Sequence, residues 1–336
     1  MYKTEDIEVF PIFIPHQGCP FQCIYCNQKM ITNSKSPNLQ KINTKIYHFI
    51  KNNTNKRKEI AFFGGTFTSL PKNKMDYYLN FTEKFKKSIY GIRISTRPDS
   101  IDKETLSYLK KNKVKTIELG IQSFDDTVLK KTQRGYNSQS AIESSILIKK
   151  SEFNLGIQLM PGLPGDDKRT FLKTIQITKD IKPDYVRIYP TIVLKSTKLE
   201  DLYKKGNYTP LNLDQAVSWS TLAVNSLERE QIKVIKIGLH SDIEINKDNI
   251  TTGPYHPAFG EMVKANIMIK DIVKNYTAKN TIHISSKAIS LFKGHNNIYL
   301  KKLKRKLNLI NLPIKLDNNL PKNKYYLSKD KPNKNW

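Results

Sequence analysis

Cys19, Cys23 and Cys26 lie together in the stretch PHQGCPFQCIYCNQ, 15–28, and the 336-residue chain has no cysteine elsewhere. Three thiolates separated by three and then two residues can face one point. A structural zinc ion takes four protein ligands, and His16 is the nearby candidate for the fourth. An iron–sulfur cube held by three cysteines keeps one iron open to a small chelating molecule. A buried or redox-active thiol group is the third possibility, and the residues alone leave all three open. A disulfide framework is excluded, because three crowded thiols have no partners outside the cluster, which points to a reducing compartment.

The elements that would position this loop alternate along the chain. Strand-like runs are read at 8–14, 59–65, 91–99, 114–123, 154–165, 184–193 and 233–240. Helical apolar spacing is read at 39–52, 72–88, 102–112, 138–151, 169–181 and about 212–230, with Asp102 as a candidate N-cap. This rhythm implies parallel strands with crossover helices: an α/β fold in the form of a partial or complete (β/α) barrel. In such folds chemistry gathers where strands end. The cysteines follow the first strand and Gly64-Gly65-Thr66 the second. Ser95-Thr96-Arg97 end the third, Gln122-Ser123 the fourth, Met160-Pro161-Gly162 the fifth and Tyr189-Pro190 the sixth. Residues 1–240 are expected to form the barrel, 241–260 a junction loop, and 261–336 a small basic C-terminal α/β domain.

The formal net charge is +27. One source is a compositional bias toward Lys, Asn and Ile; the other is a polyanionic partner such as RNA. From Lys287 to Trp336 there are thirteen Lys or Arg against two Asp, a net +11 concentrated in the tail. The opening MYKTEDIEVFPIFIP reads as a polar tail entering a strand rather than a signal peptide. No apolar run approaches the ~20 residues of a membrane span, so a soluble, cytoplasmic protein without membrane contact is expected.

Cys19, Cys23 and Cys26, with Tyr25 before the last, resemble the cluster motif of radical SAM enzymes. The resemblance implies that the cysteines hold a [4Fe–4S] cluster whose open iron binds S-adenosylmethionine. One electron then cleaves the sulfonium to a 5′-deoxyadenosyl radical, which abstracts hydrogen from the substrate. FFGGTFTSLP (62–71) resembles the Gly-Gly-Thr segment that meets the methionine end of the cofactor, its glycines allowing close backbone approach. ELGIQSF (118–124) and RGY (134–136) resemble segments contacting the ribose and carboxylate, and MPGLPG (160–165) the turn near the adenine. The resemblance spans roughly 8–240. It assigns Tyr25, Gly64, Gly65, Thr66, Gln122, Ser123 and Arg134 to the cofactor, with Ser95 and Arg97 as further contacts. Flavodoxin or ferredoxin is implied as electron donor, in an anaerobic setting.

Two groups within the family are similar. Oxygen-independent coproporphyrinogen oxidase shares the Gly-Gly-Thr, GIQS, RGY and GLPG segments, but has a further cysteine where Gln28 stands and Glu where Ser95 stands. The radical SAM domain of the Elongator catalytic subunit is similar over STRPD (95–99), ELGIQSFDDTVLKKTQRGY (118–136), LMPGLPG (159–165) and PDYVRIYPTIVLKSTKLEDLYKKGNYTPLNLDQAV (183–217). That group spaces its cysteines more widely, also has Glu at Ser95, and carries an acetyltransferase domain of which no phosphate loop is found here. The implied function is radical chemistry on RNA, most directly tRNA modification. The alternatives are a small-molecule substrate such as a tetrapyrrole, or a non-catalytic zinc-bound RNA-binding protein. Residues 288–319 read as helix, Gly-containing loop, basic helix and strand. They resemble the core of a KH RNA-binding module, with Asn297 in place of the second glycine of its loop. Lys301, Lys302, Lys304, Arg305 and Lys306 would then sit near phosphates; a solvated basic helix is the other reading.

Overall fold

Short runs rich in β-branched and aromatic residues pair as parallel strands in a computed structural model of the chain. It describes residues 7–27, 37–52, 54–239, 247–277, 280–321 and 324–329; Gln28 and positions 241–246 of the expected junction lie outside the described residues. The chain divides into two compact units, Met1–Pro257 and Ala258–Trp336.

The first unit is built on β1 (Ile7–Phe13), β2 (Arg57–Phe63), β3 (Gly91–Thr96), β4 (Val114–Gln122), β5 (Asn154–Leu159), β6 (Tyr185–Ile188) and β8 (Lys233–Ile237), with the short β7 (Val193–Leu194) outside the sheet. The sheet order is β1-β2-β3-β4-β5-β6-β8, every neighbouring pair parallel. Of the two expected forms, the sheet takes the partial one: a curled half-barrel with β1 and β8 as its edges. Crossovers run through α1 (Leu39–Lys51), α2 (Lys72–Glu83), α3 (Lys103–Lys111), α4 (Asp126–Lys131), α5 (Ser138–Lys150), α6 (Lys168–Ile181), α7 (Lys198–Lys204) and α8 (Leu213–Arg229). Asp102 caps α3 as its position predicts, accepting the Thr105 N–H at 2.7 Å.

Some elements depart from the sequence reading. The two short helices α4 and α7 span six and seven residues, too few for a helical period to show in sequence. The run 184–193 divides at Pro190, which has no N–H for the ladder. Its end becomes β7, which pairs antiparallel with β9 (Ile250–Thr252) as a separate ribbon. The run 154–165 leaves the sheet after Leu159, where Pro161 and a left-handed Gly162 turn the chain.

Apolar side chains such as Ile60, Ile94, Ile117, Leu155 and Val186 are fully buried in the strands. A ladder of charge crosses between them. Arg93 Nε donates to Glu59 Oε2 at 2.7 Å, and its Nη1 to Glu118 Oε1 at 2.9 Å. Arg187 Nη2 and the Tyr185 hydroxyl donate to the same Glu118 oxygen, each at 3.0 Å. Burial alone would lift the Glu118 carboxyl, but Arg187 and Arg93 outweigh it and hold it below the usual carboxylate range.

The second unit holds α9 (Phe259–Asn275), β10 (Thr281–Ser285), α10 (Ile289–Lys293), α11 (Ile298–Leu307), β11 (Ile314–Asp317) and β12 (Tyr325–Ser328). Its sheet order is β11-β10-β12, with β10 parallel to β11 and antiparallel to β12. Ile272, Ile282, Ile284, Phe292, Leu303 and Ile314 form its core. The run 288–319 thus contains two helices around Gly294 and a closing strand. Asn296 and Asn297 both sit in the left-handed region, at φ 50° and 59°. Asparagine tolerates that conformation better than other residues with a side chain, so the missing second glycine does not prevent the turn.

Candidate active site

A cavity of about 520 Å³ opens at the C-terminal ends of the strands. Backbone bonds weld its first wall together. His16 N–H donates to Gly64 O at 2.9 Å and Thr66 N–H to Gln17 O at 2.9 Å, which docks the cysteine loop onto the Gly-Gly-Thr loop. The glycines here serve that dock. A Cβ on Gly65 would stand 2.4 Å from Gln17 O, and one on Gly18, at φ +72°, 2.2 Å from Thr66 O. The sequence reading ascribed glycine at 64–65 to cofactor approach; at Gly65 the nearest obstacle is the cysteine loop itself. The far end of the loop is fastened by Ile24, whose N–H donates to Thr132 O and whose carbonyl accepts the Leu199 N–H.

Cys19, Cys23 and Cys26 are not joined in disulfides, and all three line the cavity together with His16. Cys19 Sγ lies 3.3 Å from Thr66 Oγ1, and Arg134 Nη1 donates to Cys23 Sγ at 3.0 Å and to the Tyr25 hydroxyl at 3.1 Å. Among the described residues no three His, Cys, Asp or Glu side chains are gathered closely enough to hold a metal ion. The three thiols nevertheless share one cavity.

Tyr25, Gly64, Gly65, Thr66, Ser95, Arg97, Gln122 and Arg134 line the same cavity. Arg97 is clamped by Asp99 through bonds of 2.9 and 2.7 Å, donates to the Arg134 carbonyl, and lies over the Phe21 and Tyr136 rings. Its Nη1 and the Oε1 of Gln122 are shielded from solvent without a hydrogen-bond partner. Gln122 is held there by a left-handed backbone, φ 71°, at a register shift between β4 and β5. Buried polar atoms are normally satisfied. A donor and an acceptor left open in the wall of one cavity therefore fit a polar cofactor. Burial raises the phenols of Tyr25 and Tyr136 despite Arg134, so both stay protonated at neutral pH.

Ser123 does not line this cavity. Its hydroxyl lies 3.3 Å from Thr174 Oγ1 and accepts the Asp125 N–H at 3.1 Å at the start of α4, so its role is to fix that turn. The backbone leaves the strand at Gln122, which carries the next side chain away from the mouth. Lys301, Lys302, Lys304, Arg305 and Lys306 lie on α11 in the second unit, with Lys301, Arg305 and Lys306 exposed.

Of the opposite wall, the sequence reading singles out Tyr189 but not the charged and amide residues beside it. Glu118, Gln158, Arg187, Tyr189 and Lys236 line it. A signal was present: charged or amide residues in the middle of otherwise apolar strand runs, as in VRI (186–188) and VIKI (234–237).

Comparison with known proteins places these features in context. The model of the radical SAM superfamily matches residues 13–177 and that of the radical SAM C-terminal domain residues 183–269. An uncharacterized protein of Methanocaldococcus jannaschii is 32% identical over 211 residues, covering 62% of this chain and 63% of that protein. A tRNA uridine(34) acetyltransferase of Methanocaldococcus infernus is 29% identical over 182 residues, covering 47% of this chain but 34% of the relative's length. The chain thus spans less than two thirds of either relative. Among solved structures, the archaeal Elp3 of Methanocaldococcus infernus with an N-terminal deletion has a TM-score of 0.65 at 21% identity, covering 79% of this chain and 63% of that one.

Proposed function

The chain belongs to the radical SAM superfamily, and we propose that it is an RNA-modifying radical enzyme whose substrate class is tRNA. The carrying observation is the one cavity in which the three cysteines meet the unsatisfied polar atoms of Arg97 and Gln122. Cys19, Cys23 and Cys26 would hold a [4Fe–4S] cluster, and Tyr25, Gly64, Gly65, Thr66, Ser95, Arg97, Gln122 and Arg134 would surround S-adenosylmethionine. When bound, this pair supplies a 5′-deoxyadenosyl radical after one-electron cleavage of the sulfonium, the electron coming from a flavodoxin or ferredoxin.

The chain's own residues hold and shield. Arg134 bridges the cysteine loop to β4: Nη1 holds Cys23 and Tyr25, and Nη2 reaches the Gly120 carbonyl and, at 2.8 Å, the Tyr136 hydroxyl. Apolar Pro11, Phe13, Phe63, Met160 and Leu194 line the cavity beside them and exclude water from a reactive intermediate. RNA as the substrate class draws support from the acetyltransferase relative that acts on tRNA uridine 34, the chain's net charge of +27, and the basic α11 beside the left-handed 294–297 loop. Lys301, Lys302, Lys304, Arg305 and Lys306 would contact phosphates there.

The test is anaerobic reconstitution with iron and sulfide, reduction by dithionite, and measurement of 5′-deoxyadenosine with and without tRNA. Formation of 5′-deoxyadenosine is expected, together with a new mass among digested tRNA nucleosides. A colourless protein that retains zinc and forms none would sink the enzymatic reading. Salt-insensitive retention of a coloured tetrapyrrole would move the substrate from RNA to a small molecule. Replacing the five basic residues of α11 should weaken RNA binding and flatten its salt dependence while leaving 5′-deoxyadenosine formation without RNA intact.

A further inference from the structure

Glu118 lines the cavity, and its two oxygens are used unequally. Oε1 takes three donors: Arg93 Nη1 at 2.9 Å, and Arg187 Nη2 and the Tyr185 hydroxyl at 3.0 Å each. Among the described residues Oε2 takes none. A glycine makes this convergence possible. Gly156 stands in register with both Glu118 and Tyr185, and a Cβ there would lie 2.5 Å from the Tyr185 ring. The phenol therefore crosses β5 to reach the carboxylate on β4.

Within the ladder the charges balance. Arg93 Nε donates to Glu59 at 2.7 Å, so Glu59 and Glu118 stand against Arg93 and Arg187. What Glu118 offers the cavity is an acceptor rather than a surplus charge, and a neutral N–H satisfies an acceptor.

Gln158 supplies the complement. It lines the same cavity from β5, half-buried between the buried Ile157 and Leu159. Among the described residues its carboxamide makes no hydrogen bond, so its donor and its acceptor are both available. Gly120 stands in register with Gln158, two residues past Glu118, and adds no side chain between them. Strand rise and strand spacing put the Glu118 and Gln158 Cα atoms ~8 Å apart. A bare carboxylate oxygen and a bare carboxamide thus flank a gap floored by backbone, which suits the edge of a flat ring.

We infer that Glu118 Oε2 and Gln158 read one edge of the substrate, a ring N–H beside a carbonyl: the N–H donates to Glu118, and the carboxamide nitrogen donates to the carbonyl. Uracil and guanine present that edge, whereas cytosine and adenine carry an unprotonated ring nitrogen there. Unpaired bases are read in this way on their Watson–Crick edges. The choice of a nucleobase rests on the RNA reading above; the acceptor–donor pair does not. Both are positioning contacts, which fix the plane of the ring inside the cavity that the cysteines share.

Calorimetric titration of the whole chain separates the two claims, with uridine, 3-methyluridine, cytidine and glutarimide as probes. Uridine should bind at least about tenfold more tightly than 3-methyluridine, which lacks the ring N–H, and than cytidine, because a hydrogen bond to a charged group is at stake. Gln158→Leu should erase that preference without moving the melting temperature, because the carboxamide holds nothing in the fold. Glu118→Gln gives a readout that structural damage does not. The three donors fix the amide oxygen at the Oε1 position, so the amide nitrogen replaces Oε2 and the preference should turn from uridine to cytidine. Binding of glutarimide but of no nucleoside, lost in Gln158→Leu, would keep the pair and overturn the RNA reading. Equal affinity for uridine and 3-methyluridine, or a preference that survives Gln158→Leu, would overturn the pair. So would binding of none of the four probes.

Discussion

The two walls of the cavity are made differently. The wall on β1–β4 is built from short local segments: three cysteines within one loop, a Gly-Gly-Thr turn, and the RGY segment, whose Arg134 reaches Cys23. It is held by backbone hydrogen bonds between adjacent strand ends. The wall on β5–β8 collects single side chains from positions 158, 187 and 236, one per strand, joined only by sheet register. A motif can be carried in a loop because neighbouring residues fix each other's backbone. A row across a sheet has no such linkage and exists only once the strands are aligned. On the proposed reading the first wall would bear a reactive cofactor's ligands, which must be placed closely.

The contrast can be broken at either end. The largest effect is expected from Cys23→Ala, which should eliminate iron incorporation and 5′-deoxyadenosine formation together. Iron analysis and chromatography measure both, and retained activity would refute the ligand assignment. Next is Glu118→Ala, on β4, where the two walls adjoin. It strips Arg93 and Arg187 of their shared carboxylate, and breaking a buried ion pair from one side costs about 3–5 kcal/mol. Urea unfolding should show that loss. A change within experimental error would mean that the ladder contributes nothing to folding.

Gly65→Ala attacks the first wall without touching a thiol. The new methyl would collide with Gln17 O, and overpacking of this kind costs about 1–3 kcal/mol. The expected signature is a lowered unfolding midpoint with reduced iron loading; normal loading would show that the dock is dispensable.

The smallest effect concerns Asp166, beside the turn that follows β5. Its carboxylate accepts the Gly162 N–H at 2.9 Å, yet burial pushes its pKa up to about 6, against the ordinary value of 3.8. A folded-state pKa above the unfolded one favours the protonated form. That contribution is complete below about pH 4 and fades as the pH rises through 6. Between pH 5 and 7 the loss is roughly 1 kcal/mol by linkage. Melting curves across this range should therefore fall with pH in the parent, and the fall should be shallower in Asp166→Asn.

Much of this architecture was legible in the residue order. The seven main strands and the longer helices of the first unit declare themselves because burial on one face imposes a period that the apolar residues must follow; α9, the 17-residue helix of the second unit, is absent from that reading. The cysteine loop declares itself because three rare side chains at fixed spacing have few other uses. Arg97, Gln122 and Arg134 follow from their segments, and the structure brings them to the thiols. Ser123 stands apart from them: the backbone turns at Gln122, and the next hydroxyl goes to Asp125 and Thr174. The short α4 and α7 were missed because fewer than eight residues cannot display a helical period. In the second unit, Asn297 looked like a defect in a glycine loop, yet it adopts the same left-handed turn.

By itself, then, the amino-acid order determined the strand-and-helix alternation, the thiol trio and the basic tail, because each is written in neighbouring residues. Only the tertiary structure decided that the half-barrel stays open at β1 and β8, that Gly65 serves the loop dock, and that Gln158, Arg187 and Lys236 share a row. Those features depend on strand order and register. Register is a property of pairs of strands distant in the chain, and no single stretch of sequence contains it.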